Sequence, residues 1–319
     1  LAEHWGAGII LALGGKGMVD GNHPLVMGGV GTGGSDAAHR ALKECDTLLV
    51  AGSTWWPPKY MPANATVVQI DRCVANIGEW MPGTFGLAGD CRQVLPTLVY
   101  DLRTRPGIDR SEWVDRLTGW KQAWQKVVDQ EAGIPNPEGA IPPAVLVRAV
   151  QGVAPPGSVI TLDTGDHLLW FNRHFAGGGH RVLFSGTWRS MGFALPAAAA
   201  AKLCDPGARV IACVGDGGLT MLMGELAVPV QQNLDLTVVV FRNGMLALEA
   251  FKAESEGFRP FGHELNNPDF AAVARAFGWK AWQVNSPADL EGALQAAVAH
   301  AGPALVDVWT AADGSLHKT

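Results

Sequence analysis

Apolar residues in this 319-residue chain come mainly as short unbroken runs. Runs at 159–162, 210–214 and 237–241 are rich in Val and Ile and stop abruptly at polar turns. Unbroken runs of this length predict strands buried on both faces of a parallel sheet. Further strands are expected at 9–13, 47–52, 67–71, 181–184, 280–284 and 304–310. Helical patterns fall at 35–45, 109–130, 144–153, 219–232, 245–253, 268–277 and 287–300, with an Ala-rich helix opening near 194, and 95–102 closes the first unit. Residues 1–5 look like the end of a helix, and 258–267 an irregular loop. Asp109 and Glu112 fit a capping box for the helix at 109–130, on which Trp113, Trp120 and Trp124 share one packing face. Alternating strands and helices make the chain α/β, with two doubly wound parallel-sheet domains. The first, 1–130, is nucleotide-binding-like. A proline-bearing linker (Pro135, Pro137, Pro142, Pro143) occupies 131–143, and the second domain fills 144–319.

Two strand ends carry the chemistry. The run at 210–214 ends in Gly215-Asp216-Gly217-Gly218, and the run at 237–241 ends in Arg242-Asn243-Gly244. One helix and one strand separate them, so a right-handed crossover sets the two turns side by side. That is the carboxyl edge, where open α/β sheets bind ligands. A carboxylate and an amide oxygen there suit Mg2+, which takes oxygen ligands and phosphate oxygens. Gly217 and Gly218 let a diphosphate approach the backbone at a helix start. Gly-Asp-Gly alone would equally describe a tight turn with a capping Asp; Asn243 at the end of the next strand favours the metal. A third polar turn, Asp163-Thr164-Gly165-Asp166-His167, ends the run at 159–162 and suits phosphate, although His167 alone also fits a surface turn.

Other glycine motifs are weaker. Gly14-Gly15-Lys16-Gly17 is not a P-loop, since Gly follows the Lys. Gly29-x-Gly31-x-x-Gly34 is formally a dinucleotide fingerprint, but 23–27 before it makes a poor strand. Asp71 ends a strand and suits either a ribose hydroxyl or a local cap.

Composition narrows the classes. Hydrophobic residues make up 48% and charged residues 17%, enough for a large core. A net charge of −6 without a basic stripe argues against nucleic acid as a partner. No stretch of 18 uninterrupted apolar residues is present, so no transmembrane segment is expected. Five scattered cysteines form no Cys-x-x-Cys pair, and Cys204 and Cys213 read as core residues in a reduced, cytoplasmic setting.

Taken in order, Met191-Gly-Phe-Ala-Leu-Pro-Ala-Ala, Gly215-Asp216-Gly217-Gly-Leu-Thr-Met-Leu-Met-Gly-Glu-Leu, Asn243 and Glu264-Leu-Asn-Asn-Pro-Asp-Phe270 resemble the C-terminal part of the thiamine diphosphate-dependent enzymes of the pyruvate oxidase and acetolactate synthase type. Gly15-Lys-Gly-Met, His23-Pro-Leu and Gln69-Ile-Asp71 are similar to that family's central domain. The resemblance implies a central domain followed by a diphosphate-binding domain. It implies Mg2+ held by Asp216, the Asn243 side chain and the Met245 carbonyl. Thr164, Gly165, Asp166, His167, Gly215, Gly217, Gly218, Leu246 and Ala247 would surround the diphosphate. Met191 would sit under the thiazolium and force its V-shaped conformer, and the Arg189 carbonyl would hold the pyrimidine amino group. The cofactor would be the electron sink for decarboxylating a 2-oxo acid, pyruvate by default.

The sequence also departs from the family pattern. Arg242 replaces a first Asn that is not a ligand, and Glu249 is a weakly aligned candidate for a later acid. The loop at 252–263 is placed to cover the site. A pyrimidine-binding domain with its activating glutamate, and the first strand of the central domain, are not found in 1–319. The expectation is therefore a subunit or fragment, inactive without a separate pyrimidine-binding chain, in a homo- or hetero-oligomer. The primary reading is a pyruvate-oxidase-like decarboxylase, with FAD permitted by the glycine-rich segment. An acetolactate synthase-like carboligase is the close alternative, and a non-catalytic cofactor-binding module the more distant one.

Overall fold

The structure, a computed structural model, describes residues 1–53, 58–105, 108–136, 138–312 and 316. Of the expected linker prolines, Pro137 lies outside the described residues. The chain forms two compact units. One comprises Leu1–Leu13 and Asn22–Lys126, the other Gly14–Gly21 and Val127–Thr319.

Among the described residues the first unit holds five parallel strands in two sheets. Strands β1 (Ile9–Leu11) and β2 (Val26–Gly29) pair with each other. Strands β3 (Thr47–Ala51), β4 (Thr66–Asp71) and β5 (Phe85–Ala88) form the other sheet in that order. Ile10 packs against the cores beside both sheets. Trp113, Trp120 and Trp124 of the helix Ser111–Gly133 pack with Leu117 against the buried face of the helix Asp36–Glu44. They are core, as the spacing predicts.

Two strands here were not expected. Strand β2 carries two glycines, which lower strand propensity, yet Val26 and Met27 are buried and pairing with β1 decides the outcome. The fingerprint at 29–34 therefore does follow a strand and open a helix, whose N-cap Ser35 accepts the Ala38 amide. Gly34 is required: a Cβ there would lie 2.6 Å from the Gly29 carbonyl oxygen. Strand β5, Phe-Gly-Leu-Ala, is short, carries a glycine that lowers strand propensity, and is exposed along its whole length. Asp71 takes the local role, accepting the Cys73 amide at 2.8 Å and the Asn76 side chain at 3.2 Å through one oxygen.

Among the described residues the second unit is built on six parallel strands: β6 (Val159–Leu162), β7 (Arg181–Phe184), β8 (Val210–Gly215), β9 (Thr237–Arg242), β10 (Lys280–Val284) and β11 (Ala304–Trp309). Their order is β10-β11-β9-β8-β6-β7. The central strands are buried at nearly every position, as two-sided cover by helices requires. One face carries the Ala-rich helix Ala194–Cys204 with Leu226, Phe270 and Trp279. From β6 the chain runs outward to β7, then returns to the other side of β6 for β8. The switch point of the sheet therefore lies between β6 and β8.

Three expectations are corrected. The single helix expected at 219–232 begins at Asp216 and breaks at Leu222, whose φ of −129° and ψ of 32° leave helical space; a 3-10 turn (Met223–Leu226) and a short helix (Ala227–Gln231) complete it. The turn at 163–167 leads straight into a helix, Asp166–His174. Its Leu168, Leu169, Trp170 and Phe171 are all buried, so no apolar stripe marks it in the sequence. Cys204 is exposed rather than core. Cys213 is buried, and burial pushes its thiol up to about 12. No helix among the described residues is long and apolar enough to cross a membrane.

Candidate functional site

The two predicted turns meet. Strands β8 and β9 pair in parallel register, Gly215 beside Phe241. The Asp216 carboxylate, 3% exposed, closes the gap between their ends. Its Oδ2 accepts the amides of Asn243 at 3.1 Å and Gly244 at 2.7 Å, while Oδ1 accepts the Gly217 amide at 2.9 Å. The side chain of Asn267 donates to Oδ2 at 2.8 Å. Asn243 Oδ1 accepts the Met245 amide at 3.2 Å, and an antiparallel bridge pairs Met245 with Glu264. The Leu246 amide donates to the His263 carbonyl, and the Leu265 amide to the Gly244 carbonyl. The far end of the loop at 252–263 is thus pinned to the Asn243 turn.

Beside these residues lies a cleft that encloses about 600 Å³ of empty space when the open solvent at its mouth is included. Its walls include Thr164, Gly165, Asp166, His167, Met191, Gly215, Asp216, Gly217, Asn243, Met245, Leu246 and Ala247, all expected from the sequence. Trp170, Phe241 and Thr310 complete an apolar side, and Glu249 stands on the wall. Gly218 and Arg189 are not on it. Gly218 lies beneath, where a Cβ would come within 2.0 Å of Asp163 Oδ2. Arg189 stands in the turn before Met191 with φ +50°, uncommon for a residue with a side chain. Its guanidinium lies over Phe184.

Arg242 points away from the cleft. It donates through Nε to buried Asp307 at 2.8 Å and through a terminal nitrogen to Asn285 at 3.0 Å. Burial raises the Asp307 carboxyl above its ordinary range, against the pull of that guanidinium.

Two polar atoms in the cleft are buried and without a hydrogen-bond partner: Thr164 Oγ1 and His167 Nε2. The His167 ring also interacts with the Asp163 backbone and packs 5.4 Å from Phe241. Three helices start at this wall, at Asp166, Asp216 and Ala247, and a helix leaves its first N–H groups without intrahelical partners. Unpaired donors, helix N-termini and absent side chains at Gly165, Gly215 and Gly217 make a cradle for an anion. A hard cation beside it would meet Asp216 and the Asn243 amide oxygen. Among the described residues no group of three or more His, Cys, Asp or Glu side chains could hold a metal. Any cation site here must therefore draw on amide and carbonyl oxygens.

Burial pushes the His167 imidazole below its ordinary range; Asp163, Asp166 and Asp216 pull the other way. Burial lowers His174 and His180 as well. Bases depressed in the folded chain bind fewer protons than in the unfolded one, so their stabilising contribution is lost on acidification. Without added cofactor, the thermal midpoint should fall as pH drops below about 6.5, and His167→Gln should flatten part of that fall. A midpoint flat between neutral and mildly acid pH would contradict it.

Sequence reasoning missed Asp163 as an individual residue and Asn267. Asp163 is 1% exposed and accepts three backbone amides, from Thr164, Gly192 and Phe193. Both residues act across long stretches of chain, and no local motif announces either contact.

Two family models match the chain: the central domain of thiamine pyrophosphate enzymes at residues 1–98, and their C-terminal TPP binding domain at 163–308. The chain is 30% identical over 310 residues to a Bacillus subtilis protein named "Putative thiamine pyrophosphate-containing protein YdaP", covering 96% of this chain and 53% of that protein. It is 29% identical over 318 residues to the acetolactate synthase large subunit of Parasynechococcus marenigrum, covering 97% of this chain and 50% of that one. With the Escherichia coli acetolactate synthase isozyme 1 large subunit it shares 28% over 311 residues, covering 92% of this chain and 52% of the other. The chain spans about half the length of the curated relatives it matches.

Proposed function

The chain belongs to the thiamine pyrophosphate enzyme family, and from that premise we propose that it forms the cofactor-binding part of a thiamine diphosphate- and Mg2+-dependent enzyme acting on a 2-oxo acid. One observation carries the reading: the Asp216 carboxylate bridges the ends of β8 and β9 beside a cleft whose Thr164 Oγ1 and His167 Nε2 lack partners. In this reading Asp216, the Asn243 side chain and the Met245 carbonyl hold Mg2+. Thr164 and His167 donate to the diphosphate, with amides from the turns at Gly165–Asp166, Gly217–Gly218 and Leu246–Ala247. Met191 shapes the ring end, and the carbonyl of Arg189 orients the pyrimidine. When bound, the cofactor supplies the electron sink for loss of carbon dioxide. The chain's own task is to fix the cofactor's orientation and keep water from the apolar wall formed by Trp170 and Phe241.

The acetolactate synthase relatives support a carboligase of that type. A pyruvate-oxidase-like decarboxylase is the second reading. In its favour, the turn at 29–34 lies between β2 and a capped helix, which gives the phosphates of a flavin nucleotide a helix N-terminus. The functional division we propose is a central domain at 1–130, a linker at 131–143 and a diphosphate-binding domain at 144–319. The activating glutamate comes from a pyrimidine-binding domain outside these residues, in an oligomer.

Calorimetric titration with thiamine diphosphate tests the core of this. Heat of binding is expected with Mg2+ and should vanish with EDTA; binding indifferent to the metal would remove the reading. A flavin spectrum in the purified protein would favour the oxidase. Turnover of a 2-oxo acid after adding a pyrimidine-binding chain separates an enzyme from a non-catalytic module.

A further inference from the structure

Asp163 ends β6, one residue before the diphosphate turn, yet it lines no part of the cleft. Its side chain faces inward and accepts three backbone N–H groups. Oδ1 takes the Thr164 amide at 3.0 Å and the Phe193 amide at 2.9 Å, and Oδ2 takes the Gly192 amide at 3.0 Å. Its own amide donates to the Cys213 carbonyl of β8 at 3.0 Å. The His167 ring is held in part by the Asp163 backbone. Oδ2 fills the space that a Cβ at Gly218 would need. A single buried carboxyl group thus touches the turn before the helix Asp166–His174, the turn after Met191, and the backbone after Asp216.

Those three turns are far apart in sequence and lie at different strand ends. Gly192 has φ +78°, and Arg189 has φ +50°. Gly192 adopts this backbone without strain, but Arg189 persists there only where its surroundings hold it. Within the same turn the Ser190 amide meets Ser185 Oγ at 3.0 Å, and the Arg189 amide meets the Ser185 carbonyl at 3.2 Å.

We infer that Asp163 is a positioning residue that locks the Met191 turn to the diphosphate turn, so that the ring end and the diphosphate end of one cofactor are gripped by a single rigid frame. The inference rests on the proposed cofactor reading and adds a residue to it. A purely structural role would loosen the whole site alike. A positioning role separates the two ends: a ligand that needs only the diphosphate turns should hardly notice the change, and a ligand that also needs Met191 should.

Asp163→Asn supplies the test. The amide is the same size, but its NH2 must face at least one of the three backbone N–H groups, leaving a buried donor against a donor. Wild-type and variant chains are titrated by calorimetry with thiamine diphosphate and, separately, with inorganic pyrophosphate, both with Mg2+. The expected result is a loss of about tenfold or more for thiamine diphosphate beyond any loss for pyrophosphate. Equal losses for both ligands, or none for thiamine diphosphate, overturn the inference and leave the cofactor reading standing. A wild type that binds neither ligand overturns the cofactor reading and this inference with it. Should the variant fail to fold, hydrogen exchange on the wild type decides. The Gly192 and Phe193 amides should exchange about tenfold or more slowly relative to that of the exposed Trp188. Equal rates would mean that the carboxyl group does not hold the turn.

Discussion

Asp216→Ala is expected to abolish Mg2+-dependent binding of thiamine diphosphate. Even partners that only orient a ligand cost about 10- to 100-fold in metal affinity when lost, so removing the carboxylate proposed as a metal ligand should exceed about a hundredfold. Stability falls as well. Four donors converge on that carboxylate: the amides of Gly217, Asn243 and Gly244 and the Asn267 side chain. Each one left buried without an acceptor costs about 1–3 kcal/mol. Asp216→Asn separates the effects, because it keeps the shape and one acceptor but removes the charge. It should melt closer to wild type than the alanine variant and still fail to take up the metal in calorimetry. Wild-type affinity in the alanine variant would show that the cation, if bound, lies elsewhere.

Gly218→Ala is the second large effect. The added Cβ would fall within 2.0 Å of Asp163 Oδ2, with the Gly192 amide 3.6 Å away. The obstruction is the end of a short, fully buried side chain held by three amides, so it has nowhere to rotate without breaking them. Overpacking of this kind costs about 1–3 kcal/mol, and freed buried donors add to it. Denaturant unfolding should show a lower midpoint together with weaker cofactor binding. Gly152→Ala is the matched control. Gly152 lies in the helix Pro143–Val153 with nothing within 4 Å of the new carbon, so alanine there should be neutral or stabilise by about 0.5–1 kcal/mol. Equal stability of the two variants would mean that Gly218 is not confined as described.

The parts of the second unit that were legible in the sequence are those whose pattern is local. Strands β6, β8 and β9 fall within a residue of the apolar runs that predicted them, because strands buried on both faces of a parallel sheet favour unbroken runs rich in Val and Ile. The pairing of β8 with β9 followed from the length between the two turns. Where two requirements compete, the pattern misleads. The helix Asp166–His174 is buried all round and shows no stripe. Strand β2 is held by its partner against the preference of its glycines. Asp163 and Asn267 were illegible for another reason. Asp163 meets Gly192 across 29 positions, and Asn267 meets Asp216 across 51. Contacts of that span follow from topology, not from any window of residues.

The strand order carries a consequence for how the chain is made. Among the described residues strand β10 pairs only with β11, which inserts between it and β9 although it follows β10 in sequence. A nascent polypeptide leaving the ribosome therefore carries an unpaired β10 until residues 304–309 emerge. Completion of the sheet waits on β11, and such non-local pairing makes folding slow.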